Sequence, residues 1–165
     1  MVSAALLLTG CENNSPSPMH VSAASGMLVG AWRSHIIFRS GPLVEMKGLE
    51  FLYAYNAGGT MTESSNFDEA SNSSPPAYGV WREINPHTFE TKYLFYTTQV
   101  PGPGDGAPSN SDWWPAGHGV ITETITLSDD GKTYASTIKL TTFDRAGKPI
   151  AGESDGTGAG VRIDF

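Results

Sequence analysis

Apolar and polar residues alternate along most of this chain, which is the period of β-strands that bury one face. The clearest example is the segment 48–55, where Glu50, Leu52 and Ala54 form one face and Leu49, Phe51, Tyr53 and Tyr55 form the other. The segment ends at Asn56-Ala57-Gly58-Gly59, whose residues tolerate the backbone of a hairpin turn. No segment keeps a helical period, so we predict an all-β chain.

The pattern predicts eight or nine strands. They are 30–38, 48–55, 60–66, 78–84, 87–98, 120–127, 132–143 and 148–154, and 158–165 either extends the last strand or forms a ninth. Two connections are long, a polar loop over 66–76 and a loop rich in proline and glycine over 99–119. Consecutive hairpins without helices favour a single antiparallel barrel, because closure removes exposed strand edges. A β-sandwich is the alternative.

The first and last segments of the predicted barrel carry a recognisable set of residues. Gly30 stands two positions before Trp32 at the start of the first strand, and Arg162 lies in the last segment. This pattern resembles the lipocalin (calycin) barrels. The resemblance implies that the first and last strands close the barrel and that the guanidinium lies across the indole, a cation–π contact of about 0.5–2 kcal/mol. Alternatively, Trp32 is an ordinary core aromatic and Arg162 a surface charge.

The N-terminus resembles that of a bacterial lipoprotein. Residues 1–10 form a short apolar run, too short to span a bilayer, and Leu8-Thr9-Gly10-Cys11 is similar to a lipobox. Cys11 is the only cysteine, so the chain cannot form an internal disulfide. We therefore expect a signal peptide over 1–10, a lipidated Cys11 with a flexible tether over 11–26, and a barrel domain over 27–165. The alternative is an unprocessed apolar N-terminus with a stray thiol.

Composition excludes several classes of function. The 165 residues suffice for one domain, and 19 glycines and 11 prolines favour turns and strands over helices. A formal net charge of -7 without a basic cluster argues against a nucleic-acid partner. The chain has no catalytic or nucleotide-binding motif, and its four histidines are not spaced as metal ligands. We expect neither a metal nor another cofactor.

Aromatic residues are the strongest signal for a binding site. Those on the inner strand faces form a core and would also line any cavity, while the tryptophans of the loop 99–119 would cover one barrel mouth. We predict a ligand-binding set composed of Tyr53, Tyr93, Phe95, Trp113, Trp114, His118 and Glu123.

Glu123 is the carboxylate candidate for chemistry, because it lies between Ile121 and Ile125 on an apolar strand face. A buried carboxylate needs a partner, or its pKa rises. Possible partners are Arg82, Lys92 and Lys139. In one interpretation Glu123 belongs to a structural ion pair, or its carboxylate faces outward at a strand end. In the other interpretation its carboxyl group orients a ligand or transfers protons.

Three hypotheses follow for function. The main one is a lipid-anchored barrel of the bacterial cell envelope, periplasmic or at the outer membrane, that binds a small apolar or amphipathic molecule. The second is a small-barrel isomerase or cyclase, similar to allene oxide cyclase, in which Glu123 and Tyr93 would act on the ligand. The third is a structural envelope module with a filled interior. We expect a binding protein rather than an enzyme.

Overall fold

The computed structural model describes residues 25–67, 75–108, 110–150 and 152–165. It contains a four-residue helix, α1 (Ser25–Leu28), and eight strands. The strands are β1 (Gly30–Phe38), β2 (Leu49–Tyr55), β3 (Thr60–Ser65), β4 (Ala77–Asn85), β5 (Thr88–Gln99), β6 (Trp114–Leu127), β7 (Thr133–Asp144) and β8 (Ser154–Arg162). The predicted signal peptide and nearly all of the predicted tether lie outside these residues. No helix in the described part of the chain is long and apolar enough to cross a membrane.

Each strand pairs antiparallel with its neighbours in the sequence, and β1 pairs with β8 to close the barrel. The predicted all-β class and antiparallel barrel are therefore confirmed. The alternation of side chains follows directly from the sequence pattern, since β1 buries Trp32, Ser34, Ile36 and Phe38 and exposes the residues between them.

The two ends of the barrel differ in their connections. The β2–β3, β4–β5 and β6–β7 connections are short turns at one end, which we call the turn end. The connections at the other end are longer and run over 39–48, 66–76, 100–113 and 145–153. We call this the loop end.

Trp32 and Arg162 seal the turn end. They are paired across β1 and β8, and the guanidinium carbon lies 4.4 Å from the centre of the indole ring. Trp32 Nε1 donates to the Leu28 carbonyl at 2.9 Å, and Arg162 donates to carbonyls of Met27 and, at 2.8 Å, Val29. These two side chains thus satisfy carbonyls at and just after the end of α1 that lack helical partners.

Gly30 is needed at its position because of this closure. Its φ is 137°, and a Cβ there would lie 2.6 Å from Arg162 Nη1. Any side chain would therefore strain the backbone and displace the guanidinium. The requirement for glycine two residues before Trp32 is therefore steric.

The predicted strand over 148–154 is wrong except at its last residue, because β8 begins at Ser154, whereas the predicted segment 158–165 overlaps the second half of β8. Its inward positions after Ser154 are Gly156, Gly158 and Gly160, which give no hydrophobic period. Side chains of the neighbouring strands fill the space instead. A Cβ on Gly160 would lie 2.1 Å from the ring of Tyr134, and one on Gly158 would lie 2.4 Å from Ser136 Oγ.

The predicted loop over 99–119 is also too long. Its last part, from Trp114 onward, belongs to β6 and pairs with the end of β5. Pro115 faces Thr98 where the register shifts, a position that tolerates a residue unable to donate a hydrogen bond. Because the start of β6 contains proline and glycine, the sequence pattern predicted a loop where the sheet continues.

Candidate functional site

A cavity of about 150 Å³ opens at the loop end of the barrel. Its walls come from strands of the barrel and from the β1–β2 connection. The lining consists of Phe38, Pro42, Leu43, Met46, Leu49, Phe51, Glu63, Ser65, Phe67, Pro75, Phe95, Thr97, Ile121, Leu140 and Thr142. Most of these side chains are apolar, which is typical of pockets for small organic molecules.

A layer of polar side chains lies below the floor of this cavity, one inward position further toward the turn end. Tyr53 is the next inward residue after the lining residue Phe51 on β2, and Tyr93 is one inward position from the lining residue Phe95 on β5. The hydroxyls of Tyr53 and Tyr93 are hydrogen-bonded at 2.9 Å. Burial holds the pKa of both phenols well above its usual value, so both stay neutral.

Glu123 belongs to this buried layer, with only 1% of its surface exposed. Within the described residues, neither carboxylate oxygen has a partner in hydrogen-bond geometry. Burial raises the pKa of Glu123 to about 7, although the nearby hydroxyls of Ser136 and Tyr53 favour the ionised form. A carboxyl of this pKa exchanges its proton near neutral pH.

The predicted cationic partners of Glu123 are wrong. Arg82 pairs with Glu90 on the outer surface, and Lys139 lies 2.6 Å from a carboxylate oxygen of Glu153. Lys92 is exposed. These three side chains point outward because each alternates with buried residues on its strand. Glu123 points inward because it alternates with exposed residues on β6.

Glu63 is a site residue that the sequence reasoning missed. It lies on β3 directly opposite Tyr53, is 6% exposed and lines the cavity. The predicted hairpin contains the signal that would have found it. A residue facing Tyr53 across that turn shares its inward orientation.

The predicted ligand-binding residues divide into two groups. Phe95 lines the cavity, and Tyr53, Tyr93 and Glu123 lie together just below it. Trp113, Trp114 and His118 are not among the residues that line it.

Those three side chains lie in other surroundings. Trp113 is 60% exposed and borders an outer cleft with Tyr96. The guanidinium of Arg145 lies 5.3 Å from the ring centre of Trp114. His118 alternates with the inward-facing Gly119 and stacks on Phe143, with ring centres 4.9 Å apart.

Neither the family models nor the curated proteins contain a match to this sequence. Within 25–67, 75–108, 110–150 and 152–165, no three histidine, cysteine or acidic side chains are grouped so as to hold a metal ion. The cavity and the buried polar layer are the two features of the described barrel that could act on a small molecule.

Proposed function

We propose that this chain is a lipid-anchored, lipocalin-like barrel of the bacterial cell envelope that binds a small apolar or amphipathic molecule. The observation that carries the proposal is the cavity at the loop end, with its predominantly apolar lining. Contact between Arg162 and Trp32 at the opposite end supports the likeness to lipocalins. The anchor at Cys11 and the envelope location rest on the sequence pattern alone.

Burial of apolar surface would supply the binding energy. Phe51, Phe95, Ile121 and Leu140 face the cavity from four different strands. A ligand that covers their exposed atoms gains about 25 cal/mol for each Å² removed from water. Because these side chains belong to paired strands, the walls are formed before binding, and little ordering cost is expected.

A titration with phenylnaphthylamine, whose fluorescence rises in apolar surroundings, tests this proposal on the full-length chain. Thr142→Phe places a ring in the cavity and should weaken binding on the order of tenfold, the equivalent of about 1.4 kcal/mol. Thr133→Phe is the matched control, because Thr133 is exposed at the other end of the same strand. Absence of binding to the unaltered chain would instead favour a structural module with a filled interior.

A second candidate function is acid–base catalysis, as in an isomerase or cyclase similar to allene oxide cyclase. The observation that favours it is a buried carboxyl with a pKa of about 7 beside tyrosine hydroxyls, immediately below the cavity. Glu123 is the next inward residue after the lining residue Ile121 on β6, so catalysis requires the ligand to reach one position beyond the cavity.

Turnover of small apolar epoxides and enolisable ketones would test this second candidate. Glu123→Gln should abolish turnover while the affinity for phenylnaphthylamine stays the same. An unaltered turnover rate in this variant would exclude a catalytic role for Glu123.

A further inference from the structure

The described lining of the cavity contains a single charged side chain, Glu63. Its carboxyl group is almost completely withdrawn from bulk water among aromatic and aliphatic neighbours. The other polar side chains of the lining are the hydroxyls of Ser65, Thr97 and Thr142. The described lining contains no lysine, arginine or histidine.

The interior beneath the cavity also holds a carboxyl group. Glu123 is buried there, close to the hydroxyls of Ser136 and Tyr53. Basic side chains of the described strands lie elsewhere. Arg33, Arg82, Lys92 and Lys139 are exposed on the outer surface, and Arg162 is engaged at the turn end. Two carboxyl groups thus face the interior, and no cationic side chain of the described residues lines the cavity.

We infer that the ligand of this cavity is a small organic cation, an ammonium group carrying an apolar tail. The inference rests on the proposed ligand-binding function and names its ligand class. The carboxylate of Glu63 would accept hydrogen bonds from the ammonium group, and such charge-assisted bonds are strong where water is excluded. The rings of Phe51 and Phe95 also line the cavity, and a cation held over the face of either ring would gain further attraction.

The same arrangement selects against other ligands. An anionic head group, such as a fatty acid carboxylate, would be placed near Glu63 in surroundings of low polarity, where like charges repel strongly. A neutral alcohol would gain the apolar contacts and only a weaker hydrogen bond. The structure therefore predicts the order ammonium, alcohol, carboxylate for ligands with the same tail.

Competition against bound phenylnaphthylamine at neutral pH tests this order on the full-length chain. Hexylamine, hexanol and hexanoate have the same tail and differ only in head group. Hexylamine should displace the reporter at a concentration about tenfold or more below that of hexanol, because hydrogen bonds to charged groups are the stronger ones. Hexanoate should be the weakest competitor.

Two variants assign the preference to Glu63. Glu63→Gln keeps the shape of the side chain and should bring hexylamine and hexanol to within about twofold of each other, since both then meet neutral groups. Glu50→Gln is the matched control, because Glu50 lies on the outer face of the adjacent strand and pairs with Arg33. This control should keep the full preference for the amine.

The outcomes separate the two proposals. Failure of the reporter to bind the unaltered chain would overturn both. Binding of the reporter with equal competition by the three compounds, or with hexanoate strongest, would overturn the cation inference and leave the ligand-binding proposal standing. An amine preference that survives Glu63→Gln would overturn the assignment to this carboxylate.

Discussion

Replacement of Glu123 by glutamine should remove a pH-dependent loss of stability from the folded barrel. A glutamate carboxyl exposed to water has a pKa of 4.5, whereas the pKa of Glu123 in the folded protein is about 7. Between these values the folded state holds a proton that the unfolded state has released. Stability therefore falls as the pH rises through this window, and the contribution of Glu123 is constant below and above it.

The size of the effect follows from the width of the window. A difference of about 2.5 pH units, at about 1.36 kcal/mol for each unit, corresponds to roughly 3 kcal/mol. This is a large fraction of the free energy of unfolding of a typical domain, which is roughly 5–15 kcal/mol. The tyrosines around Glu123 stay neutral throughout, since burial raises the pKa of Tyr53 and Tyr93 further above an already high value.

Urea unfolding at a series of pH values, followed by tryptophan fluorescence and circular dichroism, measures this contribution. The free energy of unfolding of the unaltered chain, minus that of Glu123→Gln, should be constant below pH 4.5 and fall by roughly 3 kcal/mol by about pH 8. Subtraction cancels the titration of the histidines, which both proteins share.

Glu50→Gln serves as the control for this experiment. The hydrogen bond from Arg33 lowers the pKa of Glu50, so this carboxyl is ionised in both the folded and the unfolded state between about pH 5.5 and 8. Its replacement should leave the slope in that range unchanged. Parallel stability profiles of the unaltered chain and Glu123→Gln from about pH 4 to 8 would refute the reasoning about the buried carboxyl.

Three further outcomes are expected. Trp32→Ala should lower the free energy of unfolding by about 3–5 kcal/mol, and Arg162→Ala should lower it by less. The two losses should not add in the double variant, because the side chains touch, and additive losses in urea unfolding would contradict the stacking. Gly160→Ala should destabilise the barrel by about 1–3 kcal/mol through overlap with the adjacent tyrosine ring, whereas Gly152→Ala, with open space around it, should be nearly neutral in thermal unfolding. Cys11→Ser should move the protein from the membrane to the soluble fraction on cell fractionation; unchanged partition would count against the lipid anchor.

Much of the barrel is a local property of the sequence. In β5 the inward residues are mostly apolar or aromatic and most of their neighbours are polar, so alternation alone predicts which side chains are buried. The same alternation predicts the inward orientation of Glu123 between Ile121 and Ile125, although not the absence of a cationic partner among the described residues.

Other features depend on contacts between distant segments. The start of β8 could not be located from its own residues, because its inward glycines have no side chains and the ring of Tyr134 occupies the space beside one of them. The cavity exists only where strands from the whole chain converge, and Glu63 lines it because the register of β3 places it opposite Tyr53. A strand's inner and outer faces follow from its own sequence, whereas its register and the shape of the enclosed space are set by pairing with its neighbours.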